Sequence, residues 1–126
     1  MARLLVVDDD QVLRAALRIV LEGAGYDVLE AADGDAGLRL YREQGADLVL
    51  VDIFMPGRDG LEVIRALRGA IPRPKMIAMS GAERTGVLDL LEAAAAFGAA
   101  RTLRKPFEPR DLLAAIRELL GGPEPS

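Results

Sequence analysis

Short apolar runs alternate with longer amphipathic stretches along the chain, and the alternation repeats five times. The runs are Leu4-Leu5-Val6-Val7, the weaker Tyr26-Asp27-Val28-Leu29, Leu48-Val49-Leu50-Val51, Met76-Ile77-Ala78-Met79 and the poorly marked Arg101-Thr102-Leu103. The strongest of them are continuously apolar. That is the pattern of strands buried on both faces, in a parallel sheet covered by helices.

The segments between the runs carry helical spacing. Over residues 10–22, Val12, Leu13, Ala16, Leu17 and Val20 recur at three- and four-residue intervals and define one apolar face. Residues 33–43 predict a shorter helix with Ala36, Leu40 and Glu43 around it, closed by Gly45. A third helix over 61–67 closes at Gly69. An Ala-rich one over 85–97 turns Val87, Leu88, Leu91 and Ala95 inward and ends at Gly98. The last, over 110–120, carries Leu112, Leu113, Ile116 and Leu120 and starts after Pro109. Strand and helix in alternation, joined by right-handed crossovers, predict an α/β domain with a five-stranded doubly wound parallel sheet. The domain is expected to occupy residues 1–120. The Gly121-Gly122-Pro123-Glu124-Pro125-Ser126 segment reads as a flexible tail or the start of a linker.

Composition removes several kinds of chemistry. A chain of 126 residues fits one domain. With no Cys and no His it has no Cys/His zinc site, no Ser-His-Asp triad, no disulfide and no phosphohistidine of its own. A metal site must therefore be built from oxygens, which points to Mg²⁺ or Ca²⁺. A net charge of −4 argues against direct contact with nucleic acid. There is no apolar run of membrane-spanning length, so no membrane partner is expected, and the absence of Cys leaves the cytoplasm as the expected location.

In an open α/β sheet, ligands gather beyond the carboxyl ends of the strands. Asp8, Asp9 and Asp10 follow the first apolar run, Asp52 the third, Ser80 the fourth, and Lys105 with Pro106 the fifth. Each has an ordinary structural reading: an acid before a helix caps it, and Asp52 ahead of Pro56-Gly57 suits a turn. Asp10 is the expected cap, leaving Asp8 and Asp9 to face the strand ends. Three carboxylates in one pocket repel one another and raise each other's pKa. A divalent cation and Lys105 together bring that pocket to neutrality. A carboxylate beside such a cation is placed to attack phosphorus in line, with Lys105 and the Ser80 hydroxyl on the equatorial oxygens.

These residues resemble the signatures of bacterial two-component response-regulator receiver domains. Leu5-Val6-Val7-Asp8-Asp9-Asp10 is similar to the first-strand signature, and Asp52-Ile53-Phe54-Met55-Pro56 with Asp59-Gly60 to the phosphoacceptor signature. Ser80-Gly81 and Lys105-Pro106-Phe107 resemble the family's later motifs. The resemblance runs from Arg3 to Leu120 and implies strand order 2-1-3-4-5. It implies Asp52 as phosphoacceptor and Mg²⁺ on Asp9, Asp52 and the Phe54 carbonyl, with Asp8 reaching the metal through water. Ser80 and Lys105 then meet the phosphoryl group, Lys105-Pro106 is a cis peptide, and Phe54 and Ala82 flank the site. The implied role is a signalling phosphoacceptor, not an enzyme, that performs only its own phosphotransfer and slow autodephosphorylation. The implied partners are a histidine kinase or histidine phosphotransfer protein and a downstream effector, the chain itself being a monomer or weak dimer. Thr102 departs from the pattern, standing three before Lys105 where many members carry an aromatic residue.

Two other classes use similar folds. A phosphatase of the haloacid dehalogenase type wants a second acid two positions after its nucleophile, where this chain has Phe54. A flavin carrier wants phosphate-cradling Ser/Thr/Gly loops where this chain has acids.

Overall fold

The structure is a computed structural model that describes residues 1–55, 60–81 and 87–121, with 87–91 described by their backbone. Five strands, β1 (Arg3–Val7), β2 (Asp27–Ala31), β3 (Leu48–Asp52), β4 (Lys75–Gly81) and β5 (Arg101–Lys105), alternate with five helices. The helices are α1 (Gln11–Gly23), α2 (Gly34–Gln44), α3 (Gly60–Arg68), α4 (Val87–Phe97) and α5 (Pro109–Leu120). All strand pairs are parallel, in the order β2-β1-β3-β4-β5. The doubly wound architecture is the one the sequence pattern predicts, and the strand order is the one the family resemblance implies.

The continuous apolar runs divide their side chains between two cores. Leu5, Val7, Val49 and Val51 meet Val63, Ile64 and Leu67 of α3 on one face of the sheet. Leu4, Val6, Leu48 and Leu50 meet Leu17 and Leu21 of α1 and Leu112 and Ile116 of α5 on the other. Adjacent residues of one strand point to opposite faces, so every position in a central strand is buried.

Four local expectations need correction. The second strand lies at Asp27–Ala31, shifted from 26–29, because it is a sheet edge whose outward residues stay partly polar. On α1 the inward residues are Leu17 and Leu21, flanked by half-buried Leu13, whereas Val12 is 80% exposed and Ala16 is also exposed. On α2 the buried residues are Gly34, Gly37 and Leu38; Ala36 and Leu40 are half-buried and Glu43 is exposed. Glycine makes that face because the helix lies directly on β1: a Cβ on Gly37 would stand 2.8 Å from a Val7 methyl. On α4 the buried side chain is Ala94 and Ala95 is exposed, while Val87, Leu88 and Leu91 fall where side chains are not described.

The segments 56–59, 82–86 and 122–126 lie outside the described residues, and with them Pro56, Asp59, Ala82, the expected start of the fourth helix and most of the expected tail. Gly121 caps α5 in the left-handed region, at φ 62°. Lys105-Pro106 is cis as the family resemblance implies; Ile71-Pro72 is also cis, which nothing in the sequence reading anticipates. Among the described residues, no helix is long and apolar enough to cross a membrane.

Candidate functional site

The carboxyl edge of the sheet gathers the chemistry. Asp8 follows β1 directly, Asp52 is the last residue of β3, Ser80 lies within β4 and Lys105 ends β5. The apolar runs thus extend one or two residues further than their hydrophobicity reveals, and Ser80 and Lys105 are strand residues. Strand register holds them as neighbours, since Asp52 pairs with Met79 and Gly81 with Lys105.

The β1–α1 turn sorts three consecutive acids into different tasks. Asp10 is the N-cap of α1, its carboxylate accepting from the Leu13 amide at 3.1 Å, as expected. Asp8 is fully buried; one oxygen accepts from the Asp10 amide at 2.9 Å and the other from Lys105 Nζ at 2.8 Å. Asp9 is exposed. Asp8, Asp9 and Asp52 each bring a carboxylate oxygen within 4.8 Å of the others. Asp52 is only 6% exposed, accepts from the Phe54 amide at 3.3 Å, and lies 3.6 Å from Lys105 Nζ.

This crowding raises the Asp52 pKa to about 6, first because burial disfavours the charged form and next because Asp8 repels it. Lys105 and the Phe54 amide oppose the shift, and Asp9 adds to it. The Ser80 hydroxyl is buried and has no hydrogen-bond partner among the described residues. A buried hydroxyl left this way costs about 1–3 kcal/mol, so a group that arrives to accept its hydrogen bond recovers that cost.

Asp8, Asp9, Asp52, Phe54, Ser80 and Lys105, all named from sequence, are therefore at this edge, while Ala82 lies outside the described residues. The structure gives a steric reason for Gly60 of the Asp59-Gly60 motif, and adds one contributor, Arg14, that escaped that reading. Gly60, the first residue of α3, presses against β3: a Cβ there would stand 2.2 Å from the Asp52 carbonyl oxygen. Arg14 on α1 donates to the Asp8 carbonyl at 2.7 Å. Its signal in the sequence is a cation set among Val12, Leu13, Ala15 and Ala16, close behind the acids.

Comparison with known proteins agrees with this geometry. The family model for the response regulator receiver domain matches residues 4–117. The DNA-binding response regulator MtrA of Mycolicibacterium paratuberculosis is 39% identical over 118 residues, covering 94% of this chain and 51% of that protein. The transcriptional regulatory protein CpxR of Escherichia coli is 38% identical over 121 residues, covering 95% of this chain and 50% of that protein. A CheY-like receiver domain protein from Methanospirillum hungatei superposes with a TM-score of 0.88 at 32% identity, covering 96% of this chain and 94% of the other. The chain belongs to the response regulator receiver domain family, the phosphorylation-regulated signalling domain of two-component systems. It spans about half the length of the curated relatives it matches.

Proposed function

We propose that this receiver domain takes a phosphoryl group from a phosphohistidine onto Asp52, with Mg²⁺ held by Asp9, Asp52 and the Phe54 main-chain carbonyl and with Asp8 acting through water. One observation carries the reading. A buried, charge-crowded carboxylate shares a lysine with a second buried carboxylate, beside a strand that buries an unpartnered hydroxyl.

The donor set suits a hard divalent cation, being all oxygen and carrying three acids against one lysine. Bound there, Mg²⁺ supplies positive charge that offsets the carboxylates and the phosphoryl oxygens. An Asp52 oxygen attacks phosphorus, the bond from phosphorus to the imidazole nitrogen breaks, and its electron pair returns to the donor ring. The product is an acyl phosphate on Asp52. Lys105 moves from carboxylate to phosphoryl oxygens, and the Ser80 hydroxyl donates to another of them. Slow hydrolysis by water restores the carboxylate, and the chain acts as a signalling phosphoacceptor rather than as an enzyme on other substrates.

The same edge offers an apolar footing for the donor, a histidine kinase or histidine phosphotransfer protein of the cytoplasm. Val12 and Ile19 of α1 are 80% and 74% exposed, and Leu13, Pro106 and Phe107 line a cavity of about 330 Å³ beside Lys105. Phosphorylation then alters the binding of a downstream effector.

The test is to incubate the full chain with acetyl phosphate in Mg²⁺ or in EDTA and to trap the acyl phosphate by borohydride reduction before peptide mapping. Label on Asp52 that requires Mg²⁺ is the expected result. Label on another residue, or equal labelling in EDTA, overturns it.

A further inference from the structure

The acids of the β1–α1 turn are held from behind by a partly buried ion-pair network that the phosphoryl chemistry does not use. Arg14 reaches back from the first turn of α1 and donates to the Asp8 carbonyl oxygen at 2.7 Å and to Glu30 Oε1 at 3.2 Å. Its side chain is 13% exposed. Glu30, on the edge strand β2, is fixed in turn by Arg18 at 2.7 Å, and Arg18 also donates to the Val28 carbonyl at 2.9 Å. The Asp8 amide donates to the Ala31 carbonyl of the same strand at 3.1 Å.

The Asp8 carbonyl belongs to the peptide unit that joins Asp8 to Asp9, and that unit is planar. Gripping its oxygen therefore sets the direction in which the chain leaves toward Asp9. The Asp8 side chain is already held by Lys105 and the Asp10 amide. Asp9 is the exposed member of the acidic group and depends on its backbone for aim.

We infer that Arg14, braced by Glu30, is a positioning residue that aims Asp9 at the cation and so sets the Mg²⁺ affinity of the site. This rests on the reading of Asp8, Asp9 and Asp52 as the cation site. The sign of the effect separates positioning from simple charge. As a nearby cation, Arg14 repels Mg²⁺, so its removal on electrostatic grounds alone tightens binding. As a positioning residue, its removal weakens binding, as loss of outer-sphere support does at other metal sites.

Mg²⁺ titrations by calorimetry on the full chain test this, with thermal melts showing that each variant is folded. Arg14→Gln is expected to weaken Mg²⁺ binding about tenfold. Arg14→Lys keeps the charge but lacks the planar fork that makes two directed bonds, and is expected to weaken binding nearly as much. Glu30→Gln, which leaves Arg14 less firmly braced, has a smaller effect of the same sign. Arg18→Gln touches Glu30 but not Asp8 and leaves affinity within about twofold. A second readout needs no metal: in EDTA, the Asp10 amide, bonded to Asp8, exchanges faster in Arg14→Gln than in the native chain. Unchanged or tighter Mg²⁺ binding in folded Arg14→Gln, with native binding intact and lost in Asp9→Asn, overturns the positioning role alone. Failure of the native chain to bind Mg²⁺, or undiminished binding in Asp9→Asn, overturns the cation site and this inference with it.

Discussion

The two ends of the sheet carry similar residues under opposite conditions. At the amino end, Arg3 pairs with Asp27 at 2.9 Å and its amide donates to Asp47 at 2.8 Å, with the Arg3 and Asp27 side chains 38% and 47% exposed. A cavity of about 1030 Å³ opens there, lined by Arg3, Tyr41, Asp47, Leu67 and Pro72 among others. At the carboxyl end the neighbouring cavity is about 330 Å³, yet Asp8 is fully buried, Asp52 nearly so, and Ser80 is unsatisfied. Volume is a poor guide here. The amino end has space, and its Arg3–Asp27 pair stands largely open to solvent. The carboxyl end has little space but holds excess buried negative charge and an idle hydroxyl, which a cation and a phosphoryl group together would satisfy.

The sharpest way to break this contrast is to neutralise one acid at each end. Asp52→Asn should abolish phosphorylation by acetyl phosphate in Mg²⁺, whereas Asp47→Asn should be labelled at the native rate. Equal loss in both variants, with both folded, would mean that the amino end takes part in the chemistry.

A smaller effect follows from the buried charge itself. Folding raises the Asp52 pKa from 3.8 to about 6, so the folded chain holds this proton more tightly than the unfolded one. The stability this contributes is complete below the unfolded value and is lost as pH rises through the folded one. In EDTA, Asp52→Asn should match the native chain near pH 4 and exceed it by roughly 2 kcal/mol above pH 7. Urea unfolding at several pH values measures the gap. Mg²⁺ should then narrow it by stabilising the native chain alone. A constant gap across this pH range would show that Asp52 is not strained by its neighbours.

Next in size is the lifetime of the acyl phosphate. Phe54 follows Asp52 by two residues and is half-buried at the edge of the site, with no side-chain group to orient an attacking water. Phe54→Asn should speed decay of phosphorylated Asp52 about tenfold, equivalent to about 1.4 kcal/mol of barrier. Decay followed in Mg²⁺ that is unchanged or slower in the variant removes Phe54 as a shield.

The contrast between the ends also explains what the sequence reveals. The central strands are legible because Leu4 to Val7 and Leu48 to Val51 are buried on both faces and cannot be polar anywhere. The site is legible because Asp8 and Asp52 end those apolar runs at the carboxyl edge of the sheet. The inward face of α1 is not legible: Val12, Leu13, Ala15, Ala16, Leu17, Ile19, Val20 and Leu21 go almost all the way round the helix. Hydrophobicity alone does not distinguish the face on the sheet from the stripe of Val12 and Ile19 left in solvent. The inward face of α2 is hidden for the opposite reason, being made of Gly34 and Gly37, which score as neither apolar nor polar but permit close approach. Arg14 is hidden because its meaning lies in a carbonyl and a Glu30 that only the fold brings to it.

The smallest effect belongs to the amino end. Arg3 bonds Asp27 and also donates to the Gln44 carbonyl at 3.0 Å, so its three-way linkage of β1, β2 and the end of α2 resembles a structural keystone. Exposure argues otherwise. Water hydrates these groups nearly as well when the pair is broken, and holding a long side chain in one rotamer has an entropic cost. Arg3→Ala should therefore reduce stability by less than about 1 kcal/mol, and raising the salt concentration should shrink the difference further. Urea unfolding of Arg3→Ala and the native chain at low and high salt gives the measurement. A loss well above that bound, insensitive to salt, would show that this end too holds charge out of water, and the distinction between the ends would fail at its cheaper side.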